Sequence, residues 1–376
     1  MTFEQLDLRE PIAEGIKNVG FEKPTKIQES SIPKIQEGED IVAQSVTGSG
    51  KTAAFSIPIL DKLEKKGDVQ AVIVVPVREL ARQVEDRMEK LGVYKTLNIT
   101  SIYGGVGYDK QIKELKNADI VVTTPGRFLD HERNGKIDLS DVETLVIDEA
   151  DKMFDMGFID DIEKIIEATP KNKQTLLYSA TMPKRVRELV DDYLTDAEHI
   201  SHDQHVDRSK LDQIYYNARK YEKFSLLLHL LRHETEGKSI VFCNTRREVD
   251  LIKKNLRRYD VECEGIHGGR SQHARNKILK KLKDGKIDVL VATDVAARGI
   301  DIDDISHVYN YDCAKTAKDY THRIGRTARA GKEGTAVTIL TPRDHQKFRK
   351  VMNGDGIDIE STEKPDFEQV KFNPNL

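Results

Sequence analysis

One pattern constrains this chain more than any other: an alternation that runs along it twice. Short runs rich in Val and Ile, at 40–43, 71–75, 98–103, 119–123, 144–148 and 174–179, are separated by stretches with apolar residues at helical spacing. In 78–91, for example, Leu80, Val84, Met88 and Leu91 mark one face of a helix. The pattern lapses over 196–210, where three histidines and four acidic residues leave little that is apolar, and this stretch reads as a linker. It resumes with strand-like runs at 212–216, 239–242, 261–266, 288–292, 307–310 and 335–340, and with helical patterns at 246–259 and 271–284. Buried strands that alternate with helices form parallel sheets covered on both faces. The expected fold is α/β: two tandem domains, each an open, mostly parallel sheet between helices. The expected boundaries are 1–30 for an N-terminal segment, 31–203 for the first domain, 204–211 for the linker, 212–355 for the second domain, and 356–376 for an acidic tail that frays.

The chain has 376 residues, which suits two domains. No apolar run approaches the ~18 residues of a membrane helix, and Met1-Thr2-Phe3-Glu4 lacks the basic and apolar regions of a signal peptide. Three scattered cysteines, Cys243, Cys263 and Cys313, argue against disulfides and zinc. The expectation is a cytoplasmic monomer with no membrane contact. Charge is uneven: residues 1–200 carry a net −10 and residues 201–350 a net +10, so the overall −4 conceals a field suited to a polyanion.

Ser45-Val46-Thr47-Gly48-Ser49-Gly50-Lys51-Thr52 lies between a strand and a helix. Its glycines let backbone N–H groups curl toward phosphate oxygens, and the helix N-terminus adds positive dipole. Lys51 is placed to reach the β- and γ-phosphates and the Thr52 hydroxyl to hold Mg²⁺. The general phosphate-loop pattern has Gly where this chain has Ser45. A second strand runs into Asp148-Glu149-Ala150-Asp151. Acids at the carboxyl end of a parallel strand sit where such sheets bind ligands, so Asp148 is the candidate second Mg²⁺ ligand, partly through water, and Glu149 the general base. In the second half, His322-Arg323-Ile324-Gly325-Arg326-Thr327-Ala328-Arg329, if helical, projects Arg326 and Arg329 from one side. Such guanidiniums can neutralise charge on a transferring phosphoryl group.

The order of these segments resembles that of the DEAD-box family of ATP-dependent RNA helicases, from Phe3 to about residue 350. The resemblance implies two RecA-like domains, with ATP and Mg²⁺ as cofactors, and single-stranded or short duplex RNA bound mainly through its backbone. Gly20-Phe21 and Pro24-Thr25-Lys26-Ile27-Gln28 resemble the adenine-reading Q motif, which gives Phe21 a stacking role and Gln28 the base edge. Pro76-Val77-Arg78-Glu79-Leu80-Ala81, Gly104-Gly105 and Thr124-Pro125-Gly126-Arg127 resemble the first domain's RNA contacts, implying Arg78, Gly105, Thr124 and Arg127. Ser179-Ala180-Thr181 resembles the coupling element, to which His322 is added. Val241 to Thr245, Gln272 with Arg275, and Ala292 to Asp301 resemble the second domain's motifs, with Thr293 on RNA and Asp301 on the ribose. The family separates short duplexes by bending one strand. Its physiological RNA and any targeting partner stay open.

Three positions depart from the family pattern. Val77 stands where Thr is usual, Ala328 where Gly is usual, and Val46 where Gln or Pro is frequent. If residue 328 needs positive φ, alanine strains the segment. Two other functions use similar domains: a DNA-directed translocase, and a non-catalytic RNA clamp. Intact Lys51, Glu149, Arg326 and Arg329 weigh against the clamp. His202 and His205 read as solvated linker residues, Cys243 as core, and Tyr215, Tyr216 and Tyr221 as packing and not as a base-stacking platform.

Overall fold

The computed structural model describes residues 1–45, 48–194, 196–202, 210–297, 305–328, 333–354 and 357–376. The chain divides into two compact units, Met1–Gln204 and His205–Leu376. The first holds β1 (Ile41–Ser45), β2 (Ala71–Val74), β3 (Ile99–Ile102), β4 (Ile120–Thr123), β5 (Thr144–Asp148), β6 (Gln174–Ser179) and β7 (Glu198–His202). Their order is β3-β4-β2-β5-β6-β1-β7, with parallel pairing throughout. The second holds β8 (Leu211–Asn217), β9 (Lys238–Phe242), β10 (Cys263–Ile266), β11 (Val289–Ala292), β12 (Ile305–Asn310), β13 (Gly334–Leu340) and β14 (Glu360–Ser361), in the order β10-β11-β9-β12-β13-β8-β14. Renumbered from its own first strand, that is the order of the first unit. One doubly wound topology occurs twice, and all twelve expected strands are present.

The central strands are apolar on both faces because helices cover both. In the first unit Ile41, Ala43, Ile73, Val146 and Leu176 pack on one side of the sheet, and Val42, Val72, Val121, Leu145 and Leu177 on the other. The three cysteines are buried and unpaired. Tyr216 is buried and Tyr215 packs 5.0 Å from the Phe348 ring, but Tyr221 is exposed beneath Arg219, so packing does not account for it.

Two strands differ from expectation, and for one reason. β7 lies within the stretch read as linker and pairs with β1, while β14 lies within the tail and pairs with β8. Each is the outer strand of its sheet. An edge strand buries little, so Glu198-His199-Ile200 needs only Ile200 for the core. The tail does not fray. Phe367, Val370 and Phe372 pack on the core of the second unit, and the Phe372 ring lies 5.1 Å from Phe224. Asn373 N–H donates to Asn255 Oδ1 at 2.8 Å, Tyr259 OH to the Lys371 carbonyl at 2.8 Å, and Lys364 pairs with Glu222 at 2.7 Å. Acidic composition masked three apolar anchors.

Candidate active site

In a parallel sheet every carboxyl end opens on the same edge, so strand order decides which loops become neighbours. In the first unit β5-β6-β1 form one half of that edge and β3-β4-β2 the other. The first half carries the phosphate-loop residues, Asp148-Glu149 and Ser179. The second carries Arg78, Gly105, Thr124 and Arg127.

The loop after β1 turns through Gly48 at φ +86° and Gly50 at φ +95°, and Lys51 begins the helix Lys51–Lys62. Gly50 is required twice over. Its φ is left-handed, and a Cβ there would lie 2.5 Å from Gln28 Nε2. Gln28 donates that nitrogen to the Gly50 carbonyl at 3.1 Å and accepts the Thr25 N–H at 3.0 Å. The second bond belongs to a capping box at the start of the helix Lys26–Gln36. Among the described residues, one N–H and one lone pair of the amide remain for a base edge. Phe21 stacks on Phe3 at 6.2 Å, with the Arg87 guanidinium 5.4 Å from its centroid. Ser45 Oγ donates to Ser49 Oγ at 2.7 Å, and Thr52 is the second residue of the helix that Lys51 begins. Val46 and Thr47 lie outside the described residues.

Lys51 Nζ donates to the Ser45 carbonyl at 2.9 Å and lies 3.8 Å from Glu149 Oε1, while Glu149 Oε2 pairs with Lys152 Nζ at 2.9 Å. Glu149 has φ +60°, a strained value for a residue with a Cβ, of the kind that functional sites hold. Asp148 is buried, and its Oδ1 has no hydrogen-bond partner among the described residues. Burial, and after it the charge of Glu149, push its carboxyl up to about 7. A divalent cation would offset both effects, so the donor set fits Mg²⁺ beside a bound triphosphate.

Asp151 ties this segment to β6. Its N–H donates to Ser179 Oγ at 3.1 Å, and its Oδ2 accepts Thr181 N–H at 3.0 Å and Thr181 Oγ1 at 2.8 Å. Ser179 Oγ in turn donates to the Thr181 carbonyl at 2.7 Å. Ser179 and Thr181, expected as the coupling element, are thus bonded both to each other and to a third residue that sequence did not single out. Lys152 was missed as well, because an i,i+3 Glu–Lys pair is ordinarily a solvated one and only burial distinguishes this one.

On the other half of the edge, Arg78 begins the helix Arg78–Leu91 and Gly105 has φ +85°. A Cβ on Gly105 would lie 2.6 Å from Arg78 Nη1, so the glycine admits the guanidinium. Thr124 precedes the helix Pro125–Arg133 without a side-chain cap bond, and Arg127 Nη1 donates to Gln111 Oε1 at 3.0 Å.

In the second unit Thr293 follows β11 and its carbonyl accepts the N–H groups of Ala296 and Ala297. His322 lies on the helix Ala317–Ile324. That helix ends before Arg326, which sits in the following turn with its N–H on the Arg323 carbonyl at 3.1 Å. The helical placement expected of Arg326 is thus corrected: Gly325 caps the helix, and Thr327 bridges to Ile305 as an extended residue. Arg329 and Asp301 lie outside the described residues. Arg323 and Arg326 are both buried, and Arg323 anchors a polar network. Its five N–H groups meet Asp294 Oδ1 and Oδ2 at 2.5 and 2.8 Å, Asn310 Oδ1 at 3.2 Å, the Asp312 carbonyl at 2.5 Å and Asn244 Oδ1 at 3.1 Å. Nothing in the spacing separates this structural arginine from Arg326.

Residues 25–189 match the DEAD/DEAH box helicase family model and residues 222–331 the helicase conserved C-terminal domain. The chain is 42% identical over 374 residues to DEAD-box ATP-dependent RNA helicase CshA of Bacillus subtilis (strain 168), covering 99% of this chain and 74% of that protein. It is 46% identical over 352 residues to ATP-dependent RNA helicase CshA of Listeria monocytogenes, covering 93% and 68%. Among solved structures, a DEAD box protein from the hyperthermophile Methanococcus jannaschii aligns at TM-score 0.61 and 42% identity, covering 96% and 99%. Saccharomyces cerevisiae Dbp5 bound to RNA and ADP BeF3 aligns at 0.86 and 30%, covering 96% of each chain. This chain belongs to the DEAD-box helicase family.

Two of this DEAD-box chain's departures acquire physical content from the structure. Val77 is the N-cap of the helix Arg78–Leu91: its carbonyl accepts Leu80 N–H and Ala81 N–H, and it has no side-chain oxygen to cap the first turn. Ala328 has φ +53°. Val77→Thr supplies the cap, and Ala328→Gly removes the strain. Each is expected to stabilise its own unit by about 1 kcal/mol, read as a rise of a few degrees in that unit's thermal midpoint. An unchanged midpoint in either variant would remove the corresponding explanation.

Proposed function

We propose that this chain is an RNA-stimulated ATPase that binds RNA through its backbone and opens short duplexes or remodels RNA–protein assemblies. The observation that carries this reading is the division of one sheet edge between phosphate-loop residues and a cluster of arginine, glycine and threonine, with Asp151, Ser179 and Thr181 bonded together behind Glu149.

Residues 45–51 cradle the phosphates through backbone N–H groups and Lys51, which exchanges the Ser45 carbonyl for the β- and γ-oxygens. Gln28 reads the adenine edge with its remaining N–H and lone pair, Phe21 stacks, and Asp301 takes the ribose. Thr52 and Asp148 would hold Mg²⁺, which would supply charge neutralisation on the β- and γ-phosphates. Glu149 accepts the proton of the attacking water as the γ-phosphorus–oxygen bond to the β-phosphate breaks. Lys152 pairs with Oε2 and offsets the carboxylate's charge in this buried site. Arg326 and Arg329 are the second unit's candidates for stabilising the transferring phosphoryl group.

Arg78, Gly105, Thr124, Arg127 and Thr293 grip phosphates and 2′-hydroxyls, which carry little base information. Ser179, Thr181 and His322 report the nucleotide's state to that grip. ATP and RNA then favour one arrangement and raise each other's affinity. Phosphate release measured with RNA, and with DNA of matched length, tests the reading. RNA is expected to stimulate and DNA not to. Equal stimulation by both would favour a DNA-directed translocase.

A further inference from the structure

We propose that Gln111 is a positioning residue for RNA: it holds the Arg127 guanidinium at the angle from which the free end meets a phosphate, with Tyr108 as the floor. This rests on the reading of Arg127 as an RNA contact.

Gln111 lies on the helix Tyr108–Leu115, and its amide is buried and fully directed. Nε2 donates to the Tyr103 carbonyl at 2.9 Å. Oε1 accepts Arg127 Nη1 at 3.0 Å and lies 3.1 Å from His131 Nε2. Arginine can only donate, so the amide orientation is fixed: the oxygen faces Arg127 and the nitrogen faces the carbonyl. Because that oxygen accepts, His131 must donate from Nε2. His131 is buried, its Nδ1 has no partner among the described residues, and burial together with Arg127 lowers its pKa, so the ring is neutral with its proton on Nε2. Two donors from two positions of the helix Pro125–Arg133 thus converge on one oxygen of another helix.

Tyr108 closes the arrangement. Its ring stacks on His131 at 4.3 Å with 5° between planes, and the Arg127 guanidinium lies 5.5 Å from its centroid. Arg127 also reaches the Val106 carbonyl through Nη1 at 3.5 Å and has Nε 3.7 Å from Asp130 Oδ2. Its Nη2 group makes no hydrogen bond among the described residues. One edge of the fork is therefore anchored and the other is free, which removes side-chain entropy that an unanchored arginine loses on meeting a phosphate. Nothing in the sequence distinguishes Gln111 from the other polar residues of its helix.

The test is a double-mutant cycle on RNA affinity in the full chain, with a single-stranded RNA, a non-hydrolysable ATP analogue and a salt series. Gln111→Met keeps the side chain's length and removes the acceptor. It is expected to weaken RNA binding about tenfold, as Arg127→Met does, and the double variant to be no weaker than Arg127→Met alone. The slope of log affinity against log salt is expected to fall by about one in Arg127→Met and no further in the double variant. Tyr108→Leu, a partly exposed change, is expected to give a smaller loss that also vanishes in the Arg127→Met background. It serves as the readout where Gln111→Met lowers the yield of folded protein. Additive losses would make Gln111 a packing residue and overturn the proposal. So would full RNA affinity in Gln111→Met, or in Tyr108→Leu where that variant is the readout. If Arg127→Met itself binds RNA normally, the reading of Arg127 as an RNA contact is what fails.

Discussion

Glu149→Gln is expected to lower the rate of RNA-stimulated phosphate release by about 10²–10⁴-fold while leaving ATP and RNA affinity within a few-fold of the parent. The substitution is isosteric, so the loop and Lys51 keep their places. What it removes is the proton acceptor and one negative charge from a buried cluster in which Asp148 and Glu149 stand against Lys51 and Lys152. With that charge gone, the like-charge repulsion on Asp148 falls and its carboxyl moves down from about 7, so ATP binding gains nothing unfavourable from this side. Stopped turnover with intact binding, read by phosphate release beside binding of a fluorescent ATP analogue, supports Glu149 as the base. Hydrolysis at the parent rate would remove it from that role.

Arg323→Met is expected to be the most destabilising single change in the second unit. Five acceptors converge on this guanidinium, whose exposure is 1%, and it also lies 5.1 Å from the Phe242 ring. Removing it leaves Asp294 without its bidentate partner and the Asp312 carbonyl, Asn310 and Asn244 without donors. Loss of one side of such a pair costs about 3–5 kcal/mol, or roughly 6–20 °C in the midpoint of a unit this size. Arg323→Lys is expected to rescue little, because three donors on one nitrogen cannot span acceptors arranged for a planar fork. Differential scanning calorimetry resolves the outcome: a second-unit midpoint at the parent value in Arg323→Met would contradict it.

The contrast between these two residues shows what was legible before the structure. Glu149 could be found because its chemistry needs a strand end and a phosphate loop, and both leave marks in sequence. Arg323 could not, because a run holding Arg323, Arg326 and Arg329 gives no sign of which guanidinium meets five acceptors; that depends on Asp294, 29 residues away, and on the ends of β9 and β12. The central strands were legible for the same reason that they are central. Burial on both faces demands Val and Ile, whereas β7 and β14 close their sheets at an edge where a single Ile or a pair of main-chain bonds suffices. Asp151 sat inside a recognised motif yet had no assigned partner until β6 brought Ser179 and Thr181 to it. Val77 stands out in sequence only as a departure from the usual Thr; the structure adds that it is a helix N-cap without a side-chain oxygen.

In the proposed function, nucleotide turnover on the β5-β6-β1 half of the first sheet answers to RNA held on the β3-β4-β2 half. Steady-state phosphate release by the full chain, with no nucleic acid, with single-stranded RNA and with DNA of the same length, measures this directly. A rise in rate with RNA alone is the expected result. A rate indifferent to RNA, or raised equally by DNA, would contradict it.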